Sequence, residues 1–240
     1  MSFETNLDYF MTSFLLYSLN RMKILSVNLG ERKAVNWRGK TIFTGMFKLP
    51  VDNPIFLSHE DVDGDHVVDR RYHGGFDKAC YLYASEAYIF WTQEYPKLKL
   101  TSGFFGENIT VEGLDETEIN IGDQYIVGEA IIEISQSRQP CFKLGIRFET
   151  QKIIKQFINA PYPGIYIRVL KPGKVSASDR MILHKKRLDE PTVLEIFQMI
   201  YGINKNKALI KKALDSIFLA DSAKKAIRKR LKINLIKPKL

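Results

Sequence analysis

The chain is poor in sulfur and in imidazole. Its two cysteines, Cys80 and Cys141, are too few for a disulfide framework, a CxxC zinc knuckle or a Cys₄ iron–sulfur cluster within the chain. The four histidines, His59, His66, His73 and His184, lack the close spacing of a zinc site. There is no P-loop, no GxGxxG and no GxSxG, so the common phosphate, dinucleotide and serine-hydrolase signatures are missing. A Cys141–His73 hydrolase dyad stays open but has no supporting local signature. Long apolar runs are missing as well. The stretch 10–19 is apolar over ten residues, whereas a membrane-spanning helix needs about 20. Before it stand Glu4 and Asp8 and no base, the wrong flank for a signal peptide. Residues 1–21 therefore read as an N-terminal extension outside the structured core. The expected location is a reducing cytoplasm, with no membrane.

What is present fits an ordinary globular protein. With 45% hydrophobic and 26% charged residues over 240 positions, the chain can bury a sizeable core without staples. The net charge of +9 is unevenly placed. Residues 188–240 carry 12 Lys/Arg against 5 Asp/Glu, and the rest carries 24 against 22, so the basic character belongs to the tail. A basic helical tail attracts nucleic acid, an acidic protein or anionic lipid. The reading preferred is that these charges solvate exposed helix faces, and nucleic acid is not expected as a partner.

From residue 23 to about 187 the texture is mostly β. Short runs rich in β-branched and aromatic residues alternate with Gly, Pro, Asn and Asp. Strands are expected at 23–29, 40–47, 79–83, 124–127, 130–136, 164–169 and 174–184, spaced for a closed or half-closed antiparallel barrel. Helices are expected at 85–95, with Ser85 as N-cap, and at 150–159. After Arg187 the pattern turns helical. Thr192-Val-Leu-Glu195 is a capping box opening a helix to Tyr201 that Gly202 ends. Asn204 is expected to cap a second helix through Ile217, and Asp221 a third, 222–233. The fold class is thus β-rich α+β: a β-barrel at 22–187 with peripheral helices, then a small three-helix C-terminal module at 188–240.

Three segments carry chemistry. In Asp69-Arg-Arg-Tyr-His-Gly-Gly-Phe-Asp-Lys78, Gly74 and Gly75 permit close approach of a ligand to the main chain. Consecutive N–H groups there can form an anion nest, with Arg70, Arg71, His73 and Lys78 supplying donors. A plain tight turn explains the glycines equally well. In Gly103-Phe-Phe-Gly-Glu-Asn-Ile-Thr110, Asn108 and Thr110 can read a heterocycle edge, though the segment is also an acceptable loop. In Ser135-Gln-Ser-Arg-Gln-Pro-Cys-Phe-Lys143, Pro140 fixes the backbone before Cys141, and Arg138 and Lys143 flank the sulfur. Cations favour thiolate, which is a nucleophile and a soft metal ligand. A lone cysteine is more often a buried small hydrophobe, and this polar, basic setting argues against that.

In this order, these segments resemble the MOSC domain, the domain shared by molybdenum cofactor sulfurase C-termini and related proteins. The resemblance is strongest to YiiM-type proteins, in which a three-helix module follows the barrel. It spans nearly all of 22–240. It rests on Gly64-Asp65 with Asp69, Tyr72-His-Gly-Gly-Phe-Asp-Lys78, Tyr81-Leu-Tyr83 and Tyr88-Ile-Phe-Trp91. It continues through Gly103-Phe-Phe-Gly-Glu-Asn-Ile-Thr110, Gly113-Leu114, Ile121-Gly-Asp123, Gln136-Ser-Arg-Gln-Pro-Cys-Phe-Lys143 and Pro172-Gly-Lys-Val-Ser176.

The resemblance implies a molybdenum cofactor whose pterin dithiolene holds the metal, with Cys141 as the protein ligand. It assigns cofactor binding to His73, Gly74, Gly75 and Lys78, with Arg71, Asn108, Ser135, Arg138 and Lys143 as further positions. Asp77 would relay a proton or orient a cofactor donor. The family also carries an association with pyridoxal phosphate. The implied activity is two-electron reduction of small N-hydroxylated compounds, such as the base analogue 6-hydroxylaminopurine, to amines, which detoxifies them. The chain shows no flavin, nicotinamide or iron–sulfur motif, so a separate flavin- or NAD(P)H-dependent reductase is expected as electron donor. The basic C-terminal module would be one docking surface for it. The rival reading is a sulfur carrier, or a cofactor carrier or binding protein, without reductase turnover.

Overall fold

The computed structural model describes residues 22–70 and 73–233. The expected extension at 1–21 lies outside them, as do Arg71 and Tyr72. The strands are β1 (Lys23–Gly30), β2 (Lys33–Trp37), β3 (Lys40–Thr44), β4 (Lys48–Val51), β5 (Ile55–Leu57) and β6 (Cys80–Ala84). They continue with β7 (Ile109–Glu112), β8 (Gln124–Val127), β9 (Ala130–Ser137), β10 (Ile165–Lys171), β11 (Gly173–Val175) and β12 (Met181–Lys185). Eight of them form one sheet in the order β12-β8-β9-β10-β6-β7-β1-β4; β5 pairs with β11, and β2 with β3.

The sheet curls back on itself. Main-chain bonds from Met181 N to Met22 O (3.0 Å), Ile24 N to Asp179 O (2.8 Å) and Ser178 N to Ile24 O (2.8 Å) tie the start of β12 to the start of β1. The sheet remains open between β12 and β4, so this is a half-closed barrel. One pair departs from the expected antiparallel pattern: β6 and β7 run parallel. Helix α1 (Glu86–Glu94) lies between them as the crossover a parallel pair requires. Every residue of β6 is buried, which is why Cys80-Tyr-Leu-Tyr-Ala84 reads as a continuous apolar run.

Two expected strands split. The run 40–47 stops at Thr44, because Gly45 packs its Cα against the His66 carbonyl; a Cβ there would sit 1.7 Å from that oxygen. The run 174–184 breaks where Ser178 takes φ 76°, giving β11 and β12 in different sheets. Ser85 has helical φ/ψ and does not cap α1; its hydroxyl lies 3.2 Å from Glu86 Oε2.

Helices α2 (Phe142–Arg147) and α3 (Lys152–Asn159) follow β9. Trp91 of α1 stacks on Phe157 of α3 at 6.0 Å and 8° and donates Nε1–H to the Tyr83 hydroxyl at 2.8 Å. The C-terminal helices are α4 (Val193–Tyr201), α5 (Lys207–Asp215) and α6 (Asp221–Leu231). The Thr192/Glu195 capping box is present, and Gly202 closes α4 at φ 72°. Asn206, not Asn204, caps α5. Asn204 instead accepts from the Asn206 N–H at 3.0 Å. Asp221 is the first residue of α6, with Ala220 at its N-cap. These helices share one apolar core with the sheet, through Val193, Ile196, Phe197, Ala223 and Ile227. Main-chain bonds from Val193 N to Ile119 O and from Ala220 N to Ser135 O, 2.9 and 3.1 Å long, reinforce the contact.

Candidate functional site

A solvent-open cleft collects residues from 44–48, 65–69, 73–81, 105–108 and 138–143, with Tyr166. Of the residues singled out in the sequence, His73, Gly74, Lys78, Asn108, Arg138, Cys141 and Lys143 all line it. Cys141 is partly exposed. Its extended backbone (φ −123°, ψ 168°) ends the turn begun by Pro140 and starts α2.

The cleft is rich in cations. Arg138 is 4% exposed. Its Nη2 lies 3.4 Å from the Phe105 carbonyl, and its guanidinium faces the Phe157 and Tyr81 rings at 5.1 and 5.4 Å. Its Nη1 is buried with no partner among the described residues, which leaves a donor to spare. Burial pushes His73 down to about 4, and the positive charges of Arg138, Lys143 and Lys78 add to this against an opposing Asp69. His73 is therefore neutral near pH 7, with Nδ1 3.2 Å from the Tyr166 hydroxyl. Burial likewise lowers Lys78, opposed by Asp77, and lifts Tyr166 to about 12.

Other expected residues take different places. Asp77 does not line the cleft. Its carboxylate accepts from Arg168 Nε at 2.6 Å, and the same guanidinium reaches Glu133 at 2.9 Å and the Phe218 carbonyl at 2.7 Å. Ser135 is fully buried behind the cleft, its Oγ 2.6 Å from the Asp77 carbonyl and 2.8 Å from that of Tyr166. Gly74 and Gly75 have the expected positive φ, 73° and 78°. Yet the Gly75 N–H is spent on the Glu60 carbonyl and that of His73 on Asp69, which breaks the run of N–H groups at the two glycines. Asn108 lines the cleft, but its amide works as framework. Its Nδ2 donates to Asp65 at 3.0 Å, and its Oδ1 accepts from the Tyr81 N–H at 3.4 Å.

Sequence reasoning missed a buried ion pair in the wall. Lys48 bonds Asp65, with side chains 7% and 4% exposed. Asp65 also accepts from the Gly30 N–H at 2.9 Å. Asp65 carried a signal, since Gly64-Asp65 is part of the family pattern; Lys48 carried none. Glu107 of the FGEN segment is a second buried hub. It accepts from the Gly103 and Phe105 N–H groups at 2.7 and 3.1 Å, from Thr110 Oγ1 at 3.0 Å and from the Tyr88 hydroxyl.

Comparison with known proteins places this geometry. The pattern of the MOSC domain matches residues 69–182, the span holding every expected site residue. YflK of Bacillus subtilis (strain 168), an uncharacterized protein, is 35% identical over 210 residues, covering 88% of this chain and 95% of YflK. The chain belongs to the MOSC domain family. YiiM of Escherichia coli (strain K12) is 31% identical over 185 residues, covering 76% of this chain and 82% of YiiM. A protein named "Reductase" from Gibberella moniliformis (strain M3125 / FGSC 7600) is 30% identical over 212 residues. That match covers 85% of this chain and 37% of the larger protein. The crystal structure of YiiM from Geobacillus stearothermophilus superposes with a TM-score of 0.72 at 30% identity, over 88% of this chain and 99% of that one. Among the described residues, no helix is long and apolar enough to cross a membrane.

Proposed function

We propose that this MOSC protein is a molybdenum-cofactor-dependent reductase of small N-hydroxylated compounds. The observation that carries the reading is the cleft around Cys141. A partly exposed thiol shares one cavity with Arg138, Lys78 and Lys143, and a buried guanidinium N–H there has no partner among the described residues. A soft sulfur ligand beside donors for a phosphate and a polar ring fits this cofactor. Cys141 would ligate the metal. Arg138, Lys78, Lys143, His73 and Gly74 would hold the phosphate and pterin, and Arg71 belongs to the same segment.

When bound, the cofactor supplies a two-electron redox centre. Converting R–NH–OH to R–NH₂ and water consumes two electrons and two protons. Lys78 is suited to give a proton, because burial makes its ammonium a stronger acid than an exposed one. His73, held neutral, carries one donor and one acceptor nitrogen, and its tautomer sets which of them meets Tyr166. Asp77 acts at a distance by fixing Arg168 beneath the turn that presents Lys78. Electrons come from a separate flavin- or NAD(P)H-dependent protein, and the Gibberella relative named as a reductase supports an oxidoreductase assignment.

The deciding experiment is elemental analysis of protein purified from a cofactor-competent host, followed by turnover of an N-hydroxylated compound with a chemical electron donor. The wild type should carry stoichiometric molybdenum and release amine, and Cys141→Ala should do neither. Molybdenum without turnover would favour a cofactor carrier, and molybdenum-free wild-type protein would refute the reading.

A further inference from the structure

The β2–β3 ribbon stands apart from the eight-stranded sheet and pairs only with itself. Its base is fixed in the cleft wall: Thr44, Gly45 and Met46 line the cleft, and a Cβ on Gly30 would come within 2.2 Å of the Gly45 carbonyl. Its far end turns over Trp37-Arg-Gly-Lys40, where Trp37 lies 5.5 Å from Phe142, the residue after Cys141. The ribbon therefore runs from one wall of the cleft to the cysteine turn.

Its exposed charges are basic. Arg32, Lys33, Arg38 and Lys40 are all exposed, against the single acid Glu31. None of the four makes an ion pair among the described residues. Three are steadied on aromatic rings without being neutralised: Arg32 over Phe43 at 3.8 Å, Lys33 over Phe47 at 4.4 Å and Arg38 over Trp37 at 5.2 Å. The turn adds an independent sign. Arg38 and Gly39 take φ 50° and 75°, the two-residue hairpin geometry that Asn or Gly enters without strain and an arginine does not. A strained position occupied by a charged side chain points to a role for that charge.

These four cations lie outside the cleft lining, so a substrate within it does not meet them; the surface of a second macromolecule does. We infer that the ribbon is the docking arm for an acidic electron-carrier protein, bound at the mouth beside Cys141. The inference rests on the reductase reading above and names the last carrier in its electron supply by chemistry: a small acidic one-electron carrier of the ferredoxin type, itself reduced by the flavin- or NAD(P)H-dependent protein. Two reduced carriers are oxidised per N–O bond broken, with two protons taken up and amine and water released.

The test compares reduced acidic ferredoxin with methyl viologen, a small cationic donor, on the molybdenum-loaded protein. Arg38→Gly suits the turn, so Arg38→Gly/Lys40→Glu should melt no earlier than wild type. Its kcat/KM with ferredoxin should fall on the order of ten-fold at low ionic strength, within the range charge steering provides, while the methyl viologen rate holds. Salt should bring the wild type down to the variant, since screening shortens to about 3 Å at 1 M. Lys225→Glu/Lys229→Glu on α6 should change neither rate. An equal loss with both donors would make the ribbon a wall of the substrate site. A loss in the α6 variant instead would move docking to the C-terminal helices, and no loss in either would remove it; each overturns the inference. Calorimetry with ferredoxin measures docking independently of turnover. Binding absent from the wild type, or unchanged in the ribbon variant, refutes the arm. A wild type that binds ferredoxin but fails to reduce substrate with methyl viologen refutes the reductase reading alone.

Discussion

Replacing Asp65 with Asn removes the charge of one carboxylate in the cleft wall. The amide keeps an acceptor for the Gly30 N–H, which lies 2.9 Å from Asp65 Oδ1, and has nearly the same volume. What it loses is the counter-charge of Lys48, whose side chain is 7% exposed, together with the Oδ2 acceptor of the Asn108 Nδ2–H. Removing one partner of a buried pair leaves an uncompensated buried charge, a cost of about 3–5 kcal/mol. At this chain length 1 kcal/mol shifts Tm by roughly 2–4 °C, so the melting point should fall by about 6–20 °C. Circular dichroism melts of Asp65→Asn, Lys48→Met and the double variant give the coupling. Lys48→Met in the Asp65→Asn background should restore most of the loss, because it removes the orphaned charge. The deficit of Asp65→Asn should persist in 1 M salt, which screens exposed pairs and reaches buried ones little. A cost below about 1 kcal/mol, as expected for the exposed Lys211–Asp215 pair, would refute the reasoning. So would a double variant less stable than Asp65→Asn.

Burial pushes the Cys80 thiol up, so iodoacetamide should label Cys141 and leave Cys80 untouched in the native protein, as peptide mapping would show. Burial also lifts Glu116 to about 8 from 4.5. The folded state therefore holds a proton the unfolded state has released, and stability should decline as pH rises from about 4.5 to 8; Glu116→Gln should flatten urea-melt stability across that window. His73 has the opposite sign. With its folded value near 4, it costs stability as pH falls from about 6.5 toward 4, and His73→Gln should soften that acid limb. Thr192→Ala should cost about 1 kcal/mol through loss of the α4 cap, read as a Tm drop of a few degrees. A chain ending at Leu188 should fail to fold to a soluble monomer in gel filtration, because it strips the cover from β9.

Local chemistry was legible and distant pairing was not. The Thr192/Glu195 box and the β8 limits can be read directly, because a cap or a short alternating run is decided by neighbours in the chain. The two asparagines near α5 could not be ranked, since both side chains can bond an N–H two or three residues on. Cys141, Arg138, Lys78 and His73, far apart in the sequence, line one cleft. Asp77 shows the limit of that logic. It sits in the 3-10 turn Phe76–Lys78, whose successive side chains point in different directions; Lys78 lines the cleft and Asp77 reaches Arg168. Nothing in the sequence singles out Arg168 or Lys48, because their partners stand 91 and 17 residues away. The parallel β6–β7 pair hid for the same reason, as pairing across a crossover leaves no periodic trace.

Arg168 also has a consequence for the order of synthesis. A chain leaves the ribosome N-terminus first. Arg168 then meets Asp77 and Glu133 in segments already made, but its third acceptor, the Phe218 carbonyl, arrives only with the C-terminal helices. The Ser135 carbonyl likewise waits for the Ala220 N–H. Until those helices are made, the nascent barrel has one of the three guanidinium contacts open and one face of β9 bare. That interval leaves apolar strand surface open to chaperones and to aggregation.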